Sequence, residues 1–120
     1  MKTASCIREY KDQLKIDNYE NLLSGFSKEF KNLSKIVGLI GNKVRLQLLW
    51  LINEDKFCVC DLADILQMSV PAISQHLRKL KDVDVIESSR EKQTIYYKIT
   101  EENKVIVNHI LVLVSDKVTI

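Results

Sequence analysis

Three cysteines carry the most distinctive chemistry in this chain: Cys6 near its start, and Cys58 and Cys60 with one residue between them. Thiolates can ligate soft ions, exchange disulfides or pack as small hydrophobes. The spacing restricts the choice. On a regular helix, positions i and i+2 point ~200° apart and cannot share an ion. Cys58 and Cys60 converge only if Cys58 lies in an extended lead-in and Cys60 at a helix start. The polar turn Asn53–Lys56 ahead of them permits that. Two thiols are too few for a closed site, and Cys6 is the only other one. An odd, sparse cysteine count does not describe a secreted disulfide scaffold. Free thiols in a reducing, cytoplasmic compartment are the expectation.

A second group of residues follows the cysteines. Ser69 is a good helix N-cap, and Pro71 sits in the first turn, where a missing N–H does no harm. With Ile73, Leu77 and Leu80 turned to the core, the outward face holds Pro71, Ser74, Gln75 and Arg78, flanked by Lys79 and Lys81. Gln can bond adenine bidentately, and Ser can bond a base edge or a phosphate. Arg78 and Lys79 would contact phosphates and add salt-dependent affinity. Arg90 and Lys92, in a charged tip further on, could reach the adjacent minor groove or backbone. His76 lies at the edge of the core face and reads as a packing residue.

The rest of the chain must position these groups. With 120 residues it is expected to form one domain with a real core. Three Gly and one Pro disfavour turn-dense β architectures and favour long helices. A net charge of +2 does not establish nucleic-acid binding, so the basic face has to be local. Apolar runs such as Ile110–Val114 are far short of the ~18 residues of a membrane span, and no signal peptide is expected. Residues 1–17 read as a polar, mobile or partly helical arm carrying Cys6, and residues 18–120 as the folded domain.

Apolar residues return at helical spacing from Tyr19 to Ile40, with breaks near Gly25 and at Gly38 and Gly41. Asn42 caps a central core helix. A short segment, Asp61–Leu66, turns Leu62, Ile65 and Leu66 inward. Gln67-Met68-Ser69 separates it from the helix that runs to about Lys81. Val83–Ser88 and Thr94–Ile99 form a hairpin around the polar stretch Ser89–Gln93. Thr100 caps a last helix, with Glu101 and Glu102 at its positive end and Lys117 at its negative end. Its apolar stripe, Val105 to Val118, is too wide for one small core and should meet a second subunit. The fold class is mainly α with a small β-hairpin: a dimeric winged helix-turn-helix, whose second helix lies in the major groove.

The string Phe57-Cys-Val-Cys-Asp-Leu-Ala-Asp-Ile-Leu66, followed by Ser69-Val-Pro-Ala-Ile-Ser-Gln-His-Leu-Arg-Lys-Leu80, resembles the ArsR/SmtB family of metal-responsive repressors. The likeness extends back to Asn42-Lys-Val-Arg-Leu-Gln-Leu-Leu49 and forward to Ile95-Tyr-Tyr-Lys-Ile99. It implies no enzyme but a homodimer, formed through the 101–120 helix and the N-terminal helix. Such a dimer binds palindromic double-stranded operator DNA when metal-free and leaves it when metal binds.

In the cadmium- and lead-responsive branch, an N-terminal arm reaches the other protomer's Cys-x-Cys. By that resemblance Cys6 of one chain joins Cys58 and Cys60 of its partner. Three sulfurs suit Pb(II), As(III) and Hg(II), while Cd(II) prefers a fourth donor. That branch commonly carries two arm cysteines. Here there is one, beside Ser5, so a fourth donor would be Asp61 or water. The family's terminal-helix zinc site is not expected, because Asn103 and Val114 stand where paired histidines would and His109 stands alone. No organic cofactor is implied. The competing readings are a repressor sensing thiol oxidation with the same cysteines and, with less support, a thiol-disulfide exchange enzyme, for which no Cys-x-x-Cys exists.

Overall fold

The computed structural model describes residues 6–115. Ser5, Lys117 and Val118, to which the sequence assigns places beside Cys6 and at the end of the last helix, lie outside them. Six helices and one hairpin follow in order: α1 Gln13–Gly25, α2 Ser27–Ile40, α3 Lys43–Glu54, α4 Val59–Leu66, α5 Val70–Asp82, β1 Ile86–Glu91, β2 Thr94–Ile99 and α6 Lys104–Ser115. One compact unit ends at Leu33 and a second begins at Ser34.

In the first unit, Asp12 caps α1 by accepting from the Lys15 N–H at 3.1 Å. The helix therefore starts inside the segment 1–17. The apolar residues Tyr19, Leu22, Leu23, Phe26 and Phe30 are exposed.

The second unit holds the core. Asn42 caps α3 through the Arg45 N–H, as its position predicts. Leu48, Leu49 and Ile52 of α3 pack with Leu62 and Ala63 of α4, Ile73, Leu77 and Leu80 of α5, and Val85 and Ile86. Ile40, Ile99, Val107 and Leu111 complete the cluster. Burying these aliphatic side chains, each worth ~1.5–3 kcal/mol, fixes the angles between the short helices. One expected core residue is turned outward: Ile65 is 48% exposed, and Ala63 takes the inward place. Val59 and not Asp61 is the first helical residue, and the inward stripe of α4 falls on Leu62, Ala63 and Leu66.

The hairpin pairs Ile86 with Ile99 and runs in register to Glu91 opposite Thr94. Its turn is therefore only Lys92-Gln93, and Lys92 takes the positive φ of 61° that tight hairpin turns require. Thr100 does not cap the last helix. Its hydroxyl donates to the Asp84 carbonyl at 2.6 Å, and the Asn103 side chain donates to the same oxygen at 2.8 Å. These bonds hold residues 101–103 as a turn, and α6 begins at Lys104. Glu101 and Glu102 thus precede the first helical turn. Val107 and Leu111 face inward, whereas Val105, Val112, Leu113 and Val114 are exposed. No helix among the described residues is long and apolar enough to cross a membrane.

Candidate nucleic-acid interface and thiol pair

The candidate interface is built on α5. Ser69 Oγ accepts from the Ala72 N–H at 3.2 Å, which leaves the hydroxyl proton free to donate outward. With Ile73, Leu77 and Leu80 all at 1% exposure or less, the helix cannot rotate about its axis without emptying the core. Pro71, Ser74, Gln75 and Arg78 are exposed and fall within about 100° of arc opposite that stripe. Lys79 is exposed at the flank. The six residues singled out on this segment therefore share one side of the molecule. No ion pair engages Arg78 or Lys79 among the described residues.

The hairpin supplies the other two. Lys92 is at the tip. Arg90, expected in the tip, lies in β1 opposite Ile95, because the ladder continues to Glu91. It is exposed and two residues from the turn, ~7 Å along the strand. Lys81 Nζ donates to Ser88 Oγ at 3.0 Å and so ties α5 to the hairpin. Between them lies an open groove of about 980 Å³, whose walls bring Asp82, Asp84 and Glu87 beside Arg78 and Lys81. Those carboxylates make the groove itself mixed in charge, and among the described residues Arg78, Lys79, Arg90 and Lys92 enter no ion pair.

His76 is half-buried on the side of α5 that meets α3. Its Nδ1 is 3.5 Å from Arg45 Nη1, and Arg45 Nε donates to the Leu39 carbonyl at 2.7 Å. Desolvation, then the charges of Arg45 and Lys79, hold the imidazole below the ordinary value of 6.5. His76 is therefore neutral at pH 7, with Nδ1 placed to accept from Arg45. It acts as a bracket between helices. His109 Nδ1 donates to the Val105 carbonyl at 2.8 Å.

The three cysteines are free. Cys58 is the N-cap residue of α4 with extended backbone (φ −86°, ψ 170°), and its side chain makes no cap hydrogen bond. Cys60 is the second residue of the helix and is exposed. The change from extended to helical backbone thus falls between the two thiols, as their convergence on one ion requires. Asp61 follows in the first turn of α4, also exposed. Cys6 is exposed in the irregular segment ahead of α1. Among the described residues, no group of three or more His, Cys, Asp and Glu side chains is close enough to hold a metal ion. The pair at the start of α4 fits a soft ion in donor type and needs a donor from elsewhere.

One cluster had no signal in the sequence. Lys56, two residues before Cys58, forms an ion pair with Glu91 and lies 4.9 Å from the centroid of the Tyr96 ring. The Glu91 hydrogen bond, opposed by desolvation and reinforced by the Glu91 charge, raises the Lys56 pKa above 10.5. The hairpin register sets Glu91 near Tyr96, and Lys56 reaches them from the segment between α3 and α4.

The chain is similar to known proteins in sequence and in fold. Residues 42–88 match the family described as bacterial regulatory protein, arsR family. Over 94 residues the chain is 31% identical to the cadmium resistance transcriptional regulatory protein CadC of Listeria innocua, a match that covers 78% of this chain and 74% of that protein. It is 29% identical over 70 residues to the arsenical resistance operon repressor of Staphylococcus aureus, covering 58% of this chain and 67% of the repressor. Among solved structures, the homodimeric winged helix-turn-helix DNA-binding domain Mb0332 of Mycobacterium bovis superposes with a TM-score of 0.66 at 24% identity. That match covers 76% of this chain and 84% of that one, and it shows the fold.

Proposed function

The chain belongs to the arsR family of bacterial regulatory proteins, a group of DNA-binding transcriptional regulators and not of enzymes, and from that premise we propose that it is a metal(loid)-sensing repressor. The observation that carries this reading is the position of Cys58 and Cys60 astride the start of α4, the helix joined to α5 by the Gln67–Ser69 turn. Relatives named for cadmium and arsenical resistance support the class of inducer.

Without ion, a homodimer presents two copies of α5 to successive major grooves of operator DNA. Ser69, Pro71, Ser74 and Gln75 meet the bases and nearby backbone, Arg78 and Lys79 the phosphates, and Arg90 and Lys92 the flanking backbone or minor groove. The exposed apolar residues of α1 and of α6 supply the dimer contacts. Cys58 and Cys60, with Cys6 of the partner subunit as third sulfur, bind Pb(II), Cd(II), Hg(II) or As(III). Such a donor set suits soft ions. Drawing the two thiolates together shifts the lead-in against α4, and α4 and α5 share one core that holds Leu62 and Ile73. A typical coupling of ~1–3 kcal/mol lowers operator affinity about 5–150-fold.

The test is fluorescence anisotropy on DNA from upstream of the protein's own gene, with each ion added in turn. Cys58→Ser and Cys60→Ser should bind the DNA as the wild type does and should not be released. Equal release of these variants by the ion refutes the sensor assignment. The closeness in sequence of a half-buried and an exposed free thiol also favours a second reading, a repressor released by thiol oxidation. Release by diamide with no response to any ion would select it.

A further inference from the structure

Lys56 belongs to the extended segment that delivers Cys58 to α4, and yet its ammonium is held by the hairpin. Glu91 is the last residue of β1, between Arg90 and Lys92, and Tyr96 lies on β2. The Lys56 N–H donates to Asp55 Oδ1 at 2.7 Å, which fixes the backbone from which the side chain reaches across. Of the ion pairs that involve the hairpin, Lys98–Glu87 stays inside it, whereas Lys56–Glu91 ties it to the thiol segment. Both partners are about half exposed, and pairs of that kind add little to stability. The contact is therefore easily broken, and its two ends lie at the thiol site and at the hairpin tip.

From this juxtaposition we infer that Lys56 is a positioning residue that carries the state of the thiol pair to the wing through Glu91 and Tyr96. The inference rests on the sensor reading above and adds to it a path that bypasses α4 and α5. Lys56 is two residues from Cys58, so a ligand that draws Cys58 toward Cys60 moves the backbone from which Lys56 reaches. Ion-pair and cation–π attraction both weaken as the ammonium withdraws. The released Glu91 carboxylate then stands unneutralised between the two cations that face operator phosphate. The tip loses its anchor and gains a repulsive charge.

The test uses the ion, among Pb(II), Cd(II), Hg(II) and As(III), that releases wild-type protein from its operator. Operator Kd is measured with and without it for Lys56→Ala, Glu91→Gln and Lys56→Arg, while thiolate-to-ion absorbance reports binding of the ion. Lys56→Ala should weaken ion-free binding, and Glu91→Gln should strengthen ion-bound binding. Each shrinks the ratio of the two Kd values by at least about threefold, a sizeable part of a typical coupling. Lys56→Arg, which keeps the cation and the ring contact, should retain the wild-type ratio. A merely structural role would move both states together and leave the ratio alone. Unchanged ratios in both variants, with the wild type still released, overturn this inference alone. A wild type that no ion releases overturns the sensor reading, and the inference with it.

Discussion

Replacing Arg78 with Ala tests which face of the molecule meets DNA. Its guanidinium is exposed on the outward arc of α5 and engaged by no ion pair among the described residues. The core anchors at 73, 77 and 80 are untouched by the change, so α5 should keep its place. Each lost phosphate contact reduces the dependence of log K on log salt by about 0.9. A dimer loses one contact per protomer, so the slope should become shallower by about 1.8. Raising salt fourfold, from about 50 to 200 mM, would then cost the variant roughly twelvefold less affinity than it costs the wild type. Anisotropy titrations of one operator duplex at four or five salt concentrations give both slopes. Identical slopes and affinities for wild type and Arg78→Ala would refute docking through α5.

Three further outcomes follow from the same geometry. Ser69→Ala removes the oxygen that caps α5 and should lower unfolding free energy by about 0.5–2 kcal/mol, read from the urea midpoint, together with operator affinity. An unchanged midpoint would show that the cap contributes nothing. Leu62→Ala empties a fully buried site between α3, α4 and α5 and should cost about 2–5 kcal/mol by the same assay. A loss below 1 kcal/mol would mean the core collapses around it. His76 is held below 6.5 by burial, Arg45 and Lys79, so the unfolded chain binds more protons than the native one just below that pH. Stability should therefore fall as pH drops from about 6.5 through the lower native value, and His76→Gln should flatten that limb in urea titrations at stepped pH. A variant with the wild-type acid slope would assign the effect to another group.

The features legible in the sequence were those with local causes. Asn42 and Ser69 cap their helices because each side chain reaches an N–H three residues on, an interaction that needs no knowledge of the rest of the chain. The outward face of α5 followed from the spacing of Ile73, Leu77 and Leu80. The backbone at Cys58 and Cys60 followed from what two thiols at i, i+2 require. The misreadings had distant causes. Thr100 has the composition of a cap, but its hydroxyl is drawn to the Asp84 carbonyl, sixteen residues away. Ala63 and Ile65 flank the Leu62–Leu66 line on opposite sides of α4, and only the packing of that helix against the rest of the core decides that Ala63 is buried and Ile65 exposed. Arg90 was assigned to the tip because no Asn-Gly or Gly-Gly marked the turn, and only the ladder fixes its length. The Lys56–Glu91–Tyr96 contact spans three segments and has no spacing rule that could reveal it.

Neither thiol at the start of α4 belongs to what holds the fold together. Cys58 makes no cap bond, Cys60 points into solvent, and the adjoining core rests on Leu62 and Ala63. Substitutions at an exposed position such as Cys60 usually change stability by less than about 0.5 kcal/mol. On the sensor reading proposed above, the donor set can therefore be rewritten by point mutation while the scaffold and α5 stay as they are. Descendants of one ancestral chain could exchange one inducer for another, or lose induction altogether, without passing through an unfolded intermediate. Selection on the input is thereby uncoupled from selection on the output.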